Sequence, residues 1–306
     1  MTCGRRRLLA AVLCAAASAG CGVGAGPSTE GQATLTVTRD YGAEPLVSAT
    51  LEDPAESETV IRFLDREAEN TTRYGGGFVQ SVEGLAGTVE DGRSLDWFFF
   101  VDGIESPVGS AEREVRAGHR IWWDYRDWTD VMRVPAVVGS WPEPFAQAAS
   151  PEPAPVVVEC HGDRAPCETA VDRLEAEGVE ATIESDTAPA GSPRLVVGTW
   201  DRLRRDAAAA QIDRGPQTSG VFARFEPGGL VALDEEGEPA AAPDPGAGLV
   251  AALRLGERPA TWVVSGAQPA GVEQAAAALD GDSLGDSYAV AVAGGAAQAL
   301  PREAAP

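Results

Sequence analysis

The sequence contains no lysine, so all 24 of its basic residues are arginine, set against 47 acids for a formal net charge of −23. A basic footprint for phosphate backbones is missing, which excludes a nucleic-acid partner. Histidine is almost missing too, with two in 306 residues. No His-rich, His-Glu-x-x-His or Gly-x-Ser-x-Gly segment is present, and the expectation is a binding protein rather than an enzyme. His119 lies in a Gly-His-Arg turn and reads as a solvated turn residue rather than a general base. Beyond the first twenty residues no apolar run is long enough to span a bilayer. The abundant acids read as a solvated surface.

The N-terminus holds what the rest lacks. Arg5, Arg6 and Arg7 precede an apolar stretch from Leu8 to Ala19, the layout of an export signal over residues 1–20. Ser18, Ala19 and Gly20 lead into Cys21, an order that resembles a bacterial lipobox, with Ser18 where that pattern usually has an aliphatic residue. The resemblance implies cleavage before Cys21, acylation of its thiol, and a chain anchored through lipid on the outer face of the cytoplasmic membrane. Residues 21–32, rich in Gly, read as a tether. Cys3 and Cys14 leave with the signal. Cys160 and Cys167 remain, and an even pair in an oxidising compartment reads as a disulfide. The rival is a metal site of Cys160, His161 and Cys167, which lacks a fourth ligand nearby.

Length implies two domains, 33–140 and 155–306, joined by a Pro-rich linker over 141–154. In the first, strands are expected at 33–39, 46–51, 78–82, 97–101 and 120–127, with a helix from Pro54 through Glu67: an α+β domain with one helix on a mostly antiparallel sheet. The second alternates strands and helices and reads as α/β with a parallel or mixed sheet. Strands are expected at 155–159, 179–184, 194–197, 261–264 and 288–292. Helices are expected at 167–177, 200–210, 248–255 and 271–279, a hairpin around Gly228-Gly229, and a frayed tail from Leu300. Val197-Gly198-Thr199 and Val263-Val264-Ser265-Gly266 are strand-to-helix turns of a kind that can bind anions. The first lacks the further glycines and lysine of a phosphate loop, and such turns are common in purely structural roles.

The aromatics of the first domain dominate its pattern. Trp97, Phe99 and Val101 face one side of a strand and Phe98 and Phe100 the other, while Trp122 and Trp123 repeat the arrangement nearby. Two accounts are open: the second face packs on the neighbouring domain, or it meets a ligand or partner.

The order of Gly77-Phe78-Val79-Gln80-Ser81-Val82, Asp96-Trp97-Phe98-Phe99-Phe100-Val101-Asp102-Gly103, Pro107-Val108-Gly109-Ser110-Ala111 and Ile121-Trp122-Trp123-Asp124-Tyr125 resembles the C-terminal domain of the transcobalamin and intrinsic factor proteins. It also resembles a related bacterial lipoprotein domain of unknown function. The resemblance covers about 33–128. It implies a ligand face of Phe78, Val79, Gln80, Trp97, Phe99, Val108, Gly109 and Ser110, with backbone groups around Gly109 and Ser110 fixing polar substituents. It also implies a flat ligand, in the first place a corrinoid such as cobalamin, captured for a membrane transporter. The helical domain that completes the site in those vitamin carriers has no counterpart here. The alternative is an adhesive or scaffolding envelope protein that uses the same aromatics as a protein interface.

Overall fold

A computed structural model describes residues 28–74, 77–153, 156–184 and 191–303. The signal segment and Cys21 lie outside these residues. In the N-terminal half, β1 (Gln32–Arg39), β2 (Glu44–Glu52), α1 (Val60–Glu67), β3 (Asn70–Arg73), β4 (Phe78–Val82), β5 (Leu85–Ala86), β6 (Thr88–Glu90), β7 (Arg93–Val101), β8 (Ile104–Glu105) and β9 (Arg120–Asp127) follow in order. The main sheet runs β2-β1-β9-β7-β6 with β8 beside β7, and β3-β4-β5 form a second, small sheet. All of its pairings are antiparallel except β1 with β9. Val60, Ile61, Phe63 and Leu64 put the apolar stripe of α1 against one face of the main sheet.

Helix α1 begins six residues later than its hydrophobic pattern implies. The loop after β8 supplies the reason: Val60 N–H donates to Arg113 O at 2.9 Å and Ile61 N–H to Ser110 O at 3.1 Å, satisfying orphan donors of the first turn. The expected tether is also partly fixed. Thr29 N–H donates to Pro54 O at 3.0 Å, and Gly31 N–H to Asp53 Oδ1 at 3.0 Å.

The C-terminal half contains β10 (Val156–His161), α2 (Arg164–Ala176), β11 (Ala181–Glu184), β12 (Arg194–Thr199), α3 (Trp200–Leu203), α4 (Pro216–Ser219), β13 (Ala223–Glu226), β14 (Gly229–Ala232), β15 (Gly248–Leu253), β16 (Thr261–Gly266), α5 (Pro269–Ala277), α6 (Gly281–Leu284), β17 (Ala289–Ala293) and β18 (Ala296–Leu300). A seven-stranded sheet runs β11-β10-β12-β16-β15-β17-β18. Its first four strands are parallel and the rest antiparallel, so the sheet is mixed. Cys160 and Cys167 are joined as a disulfide that ties the end of β10 to α2, and the alternative metal site is thereby removed. No helix among the described residues is long and apolar enough to cross a membrane.

Four expectations fail here: of the helix expected over 200–210 only α3, Trp200–Leu203, is α-helical, and a 3-10 helix follows at Ala209–Arg214. Residues 248–255 are not helical; their core is strand β15, buried at every position. A continuous apolar run carries no period, and an interior strand covered on both faces has that composition as readily as a buried helix. The tail is not frayed at Leu300, which is fully buried at the end of β18, and Arg302 N–H donates to Leu233 O at 2.9 Å. The Pro-rich stretch is not a free spacer, because Trp141 and Phe145 are buried against Trp262 of β16.

The two halves share a core. One face of the seven-stranded sheet packs on α2 and α5. The other, through Val196, Leu249, Ala251 and Val263, joins a cluster holding Tyr41, Phe100 and Trp122 of the N-terminal half. Tyr288, just before β17, meets Phe100, Trp122 and Tyr41 edge-on, with ring centroids 5.1–5.7 Å apart. Gly42 permits the approach: its φ is +89°, and a Cβ there would lie 1.8 Å from the Asp286 carbonyl oxygen.

Both faces of β7 are therefore core. Trp97→Ala and Phe100→Ala should each lower unfolding stability by about 3–5 kcal/mol, the usual cost of truncating a buried aromatic. Chemical denaturation of the two variants checks this, and a loss confined to one of them would show that one face is free.

Candidate functional site

Cross-strand register sets the aromatic ladder. Trp97, Phe99 and Phe100 of β7 stand opposite Tyr125, Trp123 and Trp122 of β9. Phe99 stacks on Trp123 with centroids 4.7 Å apart, and Trp97 tilts on Tyr125 at 5.1 Å. This face lies under α1. Trp97 is buried, and its indole Nε1–H donates to Leu85 O at 2.9 Å. Val79 and Ser110 are buried as well. Of the ligand face that the resemblance implies, Trp97, Val79 and Ser110 are thus buried, and Phe99 is half-buried against the core under α1.

The opposite face is covered by the second half. Phe100 enters the shared core. Phe98 carries the Arg126 guanidinium 3.9 Å over its ring. Arg126 is fully buried, and donates to the carbonyls of Asp127 at 3.1 Å, Val131 at 2.8 Å and Met132 at 3.0 Å. Of the two accounts open from the sequence, packing on the neighbouring domain holds for this face.

What remains of the candidate face is its rim. Phe78 and Val108 are 43% and 42% exposed, Gln80 and Gly109 partly so. Gly109 lies against the β3–β4 turn, where a Cβ on it would be 2.9 Å from Gly77 O. Tyr74, which sequence reasoning passed over, is 88% exposed in the same turn. Its signal is legible afterwards: an aromatic directly before three glycines sits in a turn rather than a core. The carbonyls expected to greet a ligand are engaged internally. Gly109 O accepts from Glu112 and Arg113 N–H at 2.9 and 3.1 Å, and Ser110 O from Ile61 N–H. Gln80 Oε1 accepts from Arg73 Nε at 2.8 Å. The rim therefore offers apolar and aromatic surface with few free polar groups, which suits stacking on a flat molecule.

The titratable groups lie elsewhere. His119 is buried, not solvated, and its Nδ1 accepts from Arg116 N–H at 3.1 Å. Burial, helped by Arg113 and Arg116, lowers its pKa to about 4. Its Nε2 stands 3.7 Å from Asp102 Oδ2. Asp102 is pushed up to about 7 by desolvation, opposed by the Arg120 N–H that donates to its Oδ1 at 2.9 Å. Asp102 borders a cleft of about 480 Å³ between the halves, which Glu143 and Arg254 also line. Each group closes a turn of the 116–120 loop, a structural role. Among the described residues no group of three or more His, Cys, Asp and Glu is placed to hold a metal.

Residues 57–127, from just before α1 to the end of β9, match a family described as a domain of unknown function (DUF4430). The transcobalamin-like family belongs to the same clan. No curated protein matches the chain significantly.

Asp102 binds its proton more tightly in the folded chain than at the unfolded carboxylate value of about 3.9. Folding stability therefore falls as pH rises from about 4 through about 7. Asp102→Asn keeps an acceptor for Arg120 N–H and tolerates the φ of +55° at this position. The variant should gain on the parent between pH 5 and pH 8, so that it melts relatively higher at pH 8. A melting difference independent of pH would contradict the shift.

Proposed function

We propose that this is an exported, lipid-anchored binding protein whose N-terminal half captures a flat, largely apolar small molecule for a membrane transporter, with a corrinoid as the first ligand to test. The observation that carries the reading is the exposed rim of Tyr74, Phe78 and Val108, on a domain whose Tyr41, Phe63, Trp97, Phe100, Trp122, Trp123 and Tyr125 are committed to two cores. Exposed large apolar side chains are ordinary singly, but a group gathered at one turn marks a surface that meets something. The match over residues 57–127 to a domain in the transcobalamin-like clan supports the ligand class.

The mechanism is contact rather than chemistry. Tyr74 and Phe78 offer rings for stacking, worth about 0.5–1.5 kcal/mol each beyond simple burial. Val108 adds apolar area and Gln80 a side-chain amide. Because α1 and the shared core hold β4 and β7 from behind, little ordering of the sheet is needed on binding. Acylation of Cys21 would hold this surface at the membrane, where a transporter takes the ligand over.

Titration with cyanocobalamin, followed by absorbance and calorimetry, tests the binding surface. The parent should bind saturably; Tyr74→Ala and Phe78→Ala should each weaken binding several-fold, and the pair at least tenfold, with melting temperature nearly unchanged. Absence of saturable binding, or equal binding by the double variant, contradicts the reading and favours a protein-docking role for the rim.

Anchoring has its own test. In the native host, Cys21→Ala should leave the protein unprocessed or released to the medium. Normal processing and membrane retention of the variant would contradict lipidation.

A further inference from the structure

The C-terminal half has a crevice of its own, set by topology. From β10 the chain passes through α2 to β11, on one side of β10 in the sheet; β12 lies on the other side. Helix α2 buries Cys167, Ala170 and Leu174 on one face of the sheet, whereas α3 buries Trp200 and Leu203 on the opposite face. Two adjacent parallel strands thus send their chains to opposite faces and opposite directions. Beyond their carboxyl ends such an arrangement leaves a gap, and this is where open α/β sheets bind ligands.

A cleft of about 380 Å³ lies there. All three central parallel strands contribute to it: Gly162 and Asp163 follow β10, Gly198 and Thr199 end β12, and Pro269 and Val272 lie beyond β16. The walls are closely fitted. A Cβ on Gly198 would stand 2.5 Å from His161 O, and one on Gly266 would stand 2.7 Å from Gly271 C. Ser265 Oγ donates to Gly198 O at 2.9 Å, joining the β12 and β16 ends. The Cys160–Cys167 disulfide closes the β10–α2 loop behind Gly162 and Asp163.

Arg202 supplies the charge. It lines the cleft, with its Cδ 4.0 Å from a Cβ built on Gly162. Among the described residues its guanidinium appears in no ion pair or side-chain hydrogen bond, in a chain with far more acids than bases. Thr199 adds a hydroxyl that does not cap α3. The ends of α2 and α5 that face the cleft take no side-chain cap either, so their first N–H groups add positive potential. Among the described residues Asp163 is the one acid on the wall, and it would accept from a hydroxyl of the same ligand.

We infer that this crevice binds a small organic anion, phosphate or carboxylate, with Arg202 as the ion-pairing residue and Thr199 as a hydrogen-bond donor. The site is separate from the aromatic rim and does not depend on it.

Inorganic phosphate and malonate, titrated separately into the 15N-labelled full chain, test the inference by amide shifts. At least one probe should give saturable shifts confined to residues 162–165, 198–202 and 270–272. Arg202→Ala should weaken that binding at least tenfold, whereas Arg205→Ala, which removes an exposed arginine away from the cleft, should bind as the parent does. Response to phosphate alone identifies a phosphoryl ligand and response to malonate alone a carboxylate. The inference is overturned if neither probe saturates, or if Arg202→Ala and Arg205→Ala behave alike.

Discussion

Asp124 lies fully buried where the two sheets meet, and the arrangement of both halves follows from how it is satisfied. Its carboxyl accepts from Thr38 Oγ1 at 2.6 Å, from Tyr41 and Gly42 N–H at 3.1 Å each, and from Tyr288 Oη at 2.9 Å. Desolvation raises its pKa to about 6, against the pull of these donors. Three donors come from β1 and the turn after it, and the fourth from the other half of the chain. A buried carboxyl stripped of a donor is costly, so separating the halves would penalise Asp124 while exposing Phe100, Trp122 and Tyr288 to water. The contact is polar at its centre and aromatic around it, which sets register as well as adhesion.

That constraint decides where function can reside. A sheet with a single helix has one free face, and a ladder of Trp and Phe on a free face would read as a binding platform. Here the free face is used up by the second half, and Arg126, held by three carbonyls of the chain leaving β9, fixes the segment that leads there. Among the described residues of this half the exposed aromatic side chains are Tyr74 and Phe78 at the β3–β4 turn, with Val108 of the neighbouring 106–109 loop exposed as well. The second sheet likewise has both faces covered, and its opening lies beyond its carboxyl edge. In each half the sheets are covered and the accessible groups sit at strand ends and on connecting loops, the usual division of labour.

Much of this was legible in the residues. Alternation marked β1 and β9, bounding turn residues marked β4, the apolar stripe marked α1, and Cys160 with Cys167 indicated their bond. Three features were not. The Gly248–Leu253 run has no period that distinguishes strand from helix, and only its place between β16 and β17 settles it. The start of α1 depends on carbonyls of Ser110 and Arg113, some fifty residues away in sequence, which no local pattern reports. Which face of β7 is free depends on the partner sheet, so alternation could divide Trp97 and Phe99 from Phe98 and Phe100 without saying that both sets are covered. Of the residues the resemblance named for a ligand face, Phe78 and Val108 are exposed whereas Val79, Trp97 and Ser110 are buried, a difference of depth that no local pattern reports.

The central claim is that the aromatic ladder is sealed and the rim is open, and hydroxyl-radical footprinting of the full chain read by mass spectrometry tests it most directly. The account predicts rapid oxidation at Tyr74 and Phe78, with Trp97, Phe100, Trp122 and Trp123 protected until the chain unfolds. Oxidation of Trp97 or Trp122 in the folded protein at the rate of Tyr74 would contradict it.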